Sequence, residues 1–168
     1  MLCVFKGQDA RQYGNGGAMD KATEYARGGI NFLSPEELGL FGESLDRAIK
    51  CDNFLDIFYE RLKQSSNEVA EIFKDVNMPA LHEKVLKTLR LATLANTDPQ
   101  GIDRHLQELG KYHQGLSIPQ SMYQAWQNAL VSVLHSCDPE FGPELDRIWH
   151  QVLEVAIYKM HQGYEAAD

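Results

Sequence analysis

The chain has 168 residues, enough for one domain with a proper core, and its 43% hydrophobic and 24% charged residues are ordinary for a globular protein. A net charge of -8 and the absence of any Lys/Arg cluster argue against a nucleic-acid partner, because phosphate neutralisation supplies most duplex affinity. No apolar run approaches the ~20 residues that span a bilayer, and the N-terminus makes a poor signal peptide, so no membrane association is expected.

Residues 1–33 are punctuated by glycines and read as a flexible arm, with room for one short helix in AMDKATEYA. Cys3 lies in this arm. Cys3, Cys51 and Cys137 are odd in number and widely spaced, which fits unpaired thiols in a reducing compartment and makes the cytoplasm the expected location. Residues 34–168 carry the helical signals and form the domain. SPEE provides Ser34 as N-cap, Pro35 in the first turn and Glu37 to close a capping box. Leu38, Phe41, Leu45 and Ala48 follow at helical spacing. A second helix is expected over about 52–64, with Leu55, Phe58, Tyr59 and Leu62 on one face. A short helical turn in SSNEVAEIF ends at Phe73.

Pro79 opens the next helix, with Leu81, Val85, Leu89 and Ala92 in register. NTDPQG breaks the chain, and IDRHLQELGKYHQ resumes it. Pro119 is expected to start a long helix carrying Met122, Trp126, Ala129 and Val133, and a last helix runs to about His161 after CDPEFGP. All six prolines fall in breaks or first turns, and no long alternating run of β-branched residues occurs, so the fold class is all-α. The two final helices are apolar on more than one face. The last carries Leu145, Ile148, Val152 and Val155 on one stripe and Trp149, Leu153, Ala156 and Met160 on another. Such helices are either wrapped by neighbours or paired with another chain.

Ile102, Leu106, Leu109 and His113 share one stripe, so His113 extends an apolar face, whereas His105 falls on the polar side. An imidazole so placed is either a core histidine bonded to a carbonyl or an axial metal ligand facing an apolar cavity. Zinc chemistry is not indicated, since neither HExxH nor paired-Cys spacing occurs.

From these residues onward the chain resembles the globins, over roughly 34–161. FLDIFYERLKQSSNEVAEIF resembles the second helix and following corner of bacterial globins, LQELGKYHQGLSIPQSMYQAW the proximal helix with its histidine, and FGPELDRIWHQVLEVAIYKM the terminal helix. The resemblance implies a globin fold with an N-terminal extension and one haem b per chain. It matches His113 to the iron ligand, Phe73 to the corner phenylalanine against the porphyrin, and Tyr59 to the tyrosine over the distal face. Val85 and Leu109 would then face the cofactor from either side. Leu81 takes the distal position if Val85, Leu86 and Leu89 face the porphyrin. Placing His82 there shifts the register and is expected to turn Lys87 and Arg90 inward, a costly burial that favours Leu81.

The implied function is reversible binding of O2, CO or NO, for sensing rather than bulk carriage and without enzyme activity. The resemblance also implies a homodimer through the last two long helices. The chain reads as either the haem domain of a longer sensor or a single-domain relative. Rival expectations are NO dioxygenation or peroxidase-like chemistry on the same haem, and a haem-free signalling module.

Overall fold

The computed structural model describes residues 33–166, and the reading of the N-terminal arm lies outside them except at Leu33, which is buried. Seven helices follow in order, α1 Pro35–Ile49, α2 Phe54–Lys63, α3 Asn67–Ile72, α4 Met78–Ala92, α5 Pro99–Gly115, α6 Met122–Cys137 and α7 Pro143–Glu165. Among the described residues there is no strand.

Local chemistry explains most of the boundaries. The Ser34 Oγ accepts from the Glu37 amide at 3.1 Å, while the Ser34 amide donates to Glu37 Oε2 at 2.7 Å, completing the expected capping box of α1. Ser66, Asn77 and Asp98 cap α3, α4 and α5 in the same way, each accepting from a backbone amide three residues on. The α1–α2 turn passes through Asn53 at φ 60°, a left-handed conformation that asparagine tolerates better than most side chains.

One boundary differs from expectation. Helix α6 starts at Met122, not at Pro119. The reason is the end of α5, where Ser117 adopts φ 56° and the Ile118 amide donates to the His113 carbonyl at 3.0 Å. This is a Schellman-type stop, and Pro119 follows it as the residue that prevents the helix from continuing. At the other end, α7 runs to Glu165 and so extends one turn beyond the expected limit.

The core gathers around α6 and α7, with α2 against α6 and α5 against α7 as the most extensive helix pairs. Phe41, Phe58, Leu130, Leu134, Ile148, Trp149 and Val152 are all but inaccessible. The first stripe of α7 is buried within the chain, as are Trp149, Leu153 and Met160 of the second one. Trp149 meets the Phe41 ring at 4.4 Å, and its indole N–H donates to Ser44 Oγ at 2.9 Å. Ala156, the remaining member of the second stripe, is half-buried. Ser44 donates in turn to Asp138 at 2.6 Å, and Arg47 reaches the same carboxylate through Nε at 2.6 Å. Burial pushes the Asp138 carboxyl up, but the bonds from Arg47, Ser44 and the Glu140 amide outweigh it and hold it below the usual range. The network locks α1 to the α6–α7 turn.

Beside it, Cys51 and Cys137 form a disulfide with their Cα atoms 5.4 Å apart. This corrects the expectation of unpaired thiols, and the argument for a reducing compartment built on it falls too. Widely spaced cysteines meet here because the α1–α2 turn folds onto the end of α6, a long-range contact that spacing cannot reveal. The bond spans a sequence separation of 86 residues, for which chain entropy gives roughly 4–5 kcal/mol in the ideal case. Cys51→Ser should lower stability by about 2–4 kcal/mol, measured as a shift in urea unfolding. Reductant should produce the same loss in the wild type and none in the variant. No helix among the described residues is long and apolar enough to cross a membrane.

Candidate functional site

The residues picked out from the sequence fall into two clusters. The first lies where α2, the end of α3 and α4 converge. Tyr59 is buried, and its ring meets Phe58 at 4.6 Å, Phe73 at 5.4 Å and His82 at 5.3 Å. The Phe58 and Phe73 contacts are edge-on, but the His82 ring stacks at 10° to the Tyr59 plane. Burial pushes the Tyr59 phenol well above its ordinary range, so it stays a protonated donor.

On α4, Leu81, Val85 and Leu86 are half-buried and pack against the core, and Leu89 is buried. His82 is also half-buried, and its Nε2 is buried with no hydrogen-bond partner among the described residues. The trade-off expected from the sequence does not arise, because Lys87 and Arg90 both stay exposed. Positions 82, 85, 86 and 89 share one helical stripe, so His82 reaches Tyr59 without rotating the cations inward. A cavity of about 190 Å³ adjoins this cluster, lined in part by Cys51, Phe54, His82 and Leu86.

The second cluster holds His113. It sits in the last turn of α5, half-buried, with Leu109 packed against the core one turn earlier. The Schellman stop fixes its backbone by capping its own carbonyl. Its Nδ1 lies 3.2 Å from the hydroxyl of Tyr123 on α6, and Tyr123 is buried. The Tyr123 ring packs on His161 of α7 at 4.9 Å, and the His161 Nε2 is another buried nitrogen with no hydrogen-bond partner among the described residues. Burial, with Tyr164 nearby, raises the Tyr123 phenol to about 12. Burial lowers His113 to about 4. The imidazole is therefore neutral near pH 7, with Nδ1 engaged by Tyr123.

Nothing in the sequence marks Tyr123 out for a polar role. Its polar role depends on where the α5–α6 turn places it. His105 also departs from expectation, since it is half-buried and lies 3.1 Å from Thr88 Oγ1 on α4. Together with Lys84 over the Tyr112 ring at 5.7 Å, this contact joins α4 to α5 beyond the two clusters.

The His113 shift carries a pH dependence. Folding lowers its proton affinity, so the unfolded chain takes up the proton first as pH falls. Its contribution to apoprotein stability is complete above about pH 6.5 and disappears as pH approaches about 4. His161 shifts in the same direction, mainly through burial, with Glu165 opposing. Urea midpoints of the apoprotein should therefore fall between these pH values, and His113→Leu should flatten the slope. An equal slope in the variant would assign the effect to other groups.

The globin family model matches residues 43–160, most of the chain and all helices but parts of the first and last. The chain is a globin. A solved structure supports the fold: this globin superposes on a Pseudomonas aeruginosa PAO1 protein described as structurally highly homologous to a human hemoglobin. The TM-score is 0.68 at 22% identity, covering 76% of this chain and 98% of that one. Among curated proteins, none matches this globin.

Proposed function

We propose that this globin holds one haem b through His113 and reversibly binds a diatomic gas (O2, CO or NO), for sensing rather than bulk carriage. The observation that carries the reading is the state of His113, a neutral imidazole oriented through Nδ1 by Tyr123 with Nε2 uncommitted. No group of three or more His, Cys, Asp or Glu among the described residues could hold a metal alone. A solitary imidazole donor suits a metal already carried by a macrocycle, so the donor set fits haem. Phe73, Leu81, Val85 and Leu109 supply apolar surface for its faces. Haem held by His113 would supply an iron able to bind a diatomic gas.

The protein's part is positioning. Tyr123 fixes the tautomer and rotation of His113, and an Nδ1–H donated to the phenol oxygen increases the basicity of Nε2. Phe58 and Phe73 hold the Tyr59 ring, leaving its hydroxyl as a donor toward a ligand in the pocket. His82 provides a second polar group beside it. A tyrosine donor slows gas release, which suits occupancy-dependent signalling better than rapid unloading.

The test is haem titration of the purified full chain. Saturation at one haem per chain, with a ferrous spectrum that shifts on adding CO, is the expected result. A chain that takes up no haem is a haem-free signalling module, the reading this measurement would overturn ours in favour of. One observation favours a second reading, peroxidase-like turnover, since a more basic axial imidazole promotes O–O bond cleavage. Peroxide consumption no faster than that of free haem, with a reducing dye present, would exclude it.

A further inference from the structure

After proline, glycine is the poorest helix former, yet Gly110 stands well inside α5 and Gly163 inside α7. Gly110 and Gly163 are both buried, and each faces a backbone carbonyl of the other helix. A Cβ on Gly110 would lie 1.9 Å from the Met160 oxygen, and one on Gly163 would lie 2.0 Å from the Gln107 oxygen. The two contacts are reciprocal, as expected for antiparallel helices crossing at backbone contact, where Cα–H groups can meet carbonyls. A backbone carbonyl cannot swing aside as a flexible side chain can. By contrast, a Cβ on Gly39 of α1 would meet nothing within 4 Å.

The crossing bears on His113 from two directions. Gly110 precedes it by one turn on the same helix, so α5 is seated where its ligating residue must be placed. Gly163 lies two residues beyond His161, whose ring packs on Tyr123, the group that orients His113. We propose that Gly110 and Gly163 are positioning residues for haem ligation, setting how deeply α5 and His113 sit relative to α7 and Tyr123. This rests on the reading that His113 is the axial ligand. A methyl group at Gly110 needs about 1.5 Å of extra separation to reach ordinary contact. Ligand constellations tolerate roughly 0.5 Å, so the displacement is large enough to alter the bond.

The experiment uses the full chain reconstituted with haem and reads haem affinity and the iron–histidine stretching band of the ferrous form. Gly110→Ala should shift the band and weaken haem retention about 10- to 100-fold, the usual effect of disturbing what orients a metal ligand. Gly163→Ala should act in the same direction. The double variant should fall short of the summed effects, because one methyl already opens the crossing for the other. Gly39→Ala is the control and should leave both readouts unchanged.

The decisive arm cuts the tether. In His113→Gly supplied with free imidazole, adding Gly110→Ala should leave the band unchanged, since the ligand no longer follows α5. A shift that persists there would mean general deformation of the pocket and would overturn the proposal. So would a folded Gly110→Ala with the wild-type band. If that variant does not fold, an unchanged band in Gly163→Ala overturns it equally. Failure of the underlying reading looks different: His113→Gly would keep the native band with no imidazole added.

Discussion

Replacing His113 with Ala should abolish stoichiometric haem retention while leaving most of the helical signal in place. The side chain is half-buried at the end of α5, and its hydrogen bond with Tyr123 contributes only about 1 kcal/mol net to folding. Near pH 7 the imidazole is mostly uncharged whether the chain is folded or unfolded, so its shift adds little to that loss. The iron bond proposed for His113, by contrast, has no counterpart in alanine, so haem retention should fall even where the fold survives. The ferrous spectrum and haem dissociation rate are the readouts. His135→Ala is the matched control, an exposed imidazole on α6 that meets Phe141 edge-on and lies 3.6 Å from Asp146, and it should release haem at the wild-type rate. A His113→Ala protein with one haem per chain and an unaltered spectrum would remove the basis for the proposed function. Tyr123→Phe should give an intermediate result, keeping haem but shifting the iron–histidine band, because only orientation and basicity are lost.

Tyr59→Phe should speed O2 release by about 10- to 100-fold and change CO release far less. Bound O2 carries more negative charge than CO, and a hydrogen bond to a charged acceptor contributes roughly 1.5–3 kcal/mol, where each 1.4 kcal/mol is tenfold. The geometry favours a large effect. The Tyr59 ring is held by three other rings, so little side-chain entropy is lost when the hydroxyl engages a ligand. The substitution also keeps the aromatic packing, which separates the hydroxyl's effect from that of the ring. Stopped-flow release of both gases from wild type, Tyr59→Phe and His82→Leu decides between donors. Unchanged O2 release in Tyr59→Phe, with faster release in His82→Leu, would transfer the role to His82.

The α4 register shows how far sequence reasoning reaches at such a site. Periodicity gives the stripe that contains Leu81, Val85 and Leu89, and the cost of burying Lys87 and Arg90 was a sound reason to keep them outside. It could not reveal that His82 shares the inner edge with both cations still exposed, because that depends on how α4 rolls against Tyr59. The same holds for His113. Its place on an apolar stripe was legible, and with the family resemblance so was its expected role. That Tyr123 engages its Nδ1 was not, since the Schellman stop and the α5–α6 turn set that approach.

What the sequence determined by itself was local. Capping residues, proline positions and apolar spacing fixed all seven helices to within a few residues, because hydrogen bonds and side-chain periodicity within one turn decide them. The tertiary structure alone decided the rest. It buried most of both stripes of α7 within the chain, joined Cys51 to Cys137, and brought Gly110 and Gly163 against opposing backbones. These contacts link residues far apart in the chain, and their energies exist only after the helices have chosen partners. Composition and spacing record which surfaces need cover. Packing geometry decides what covers them.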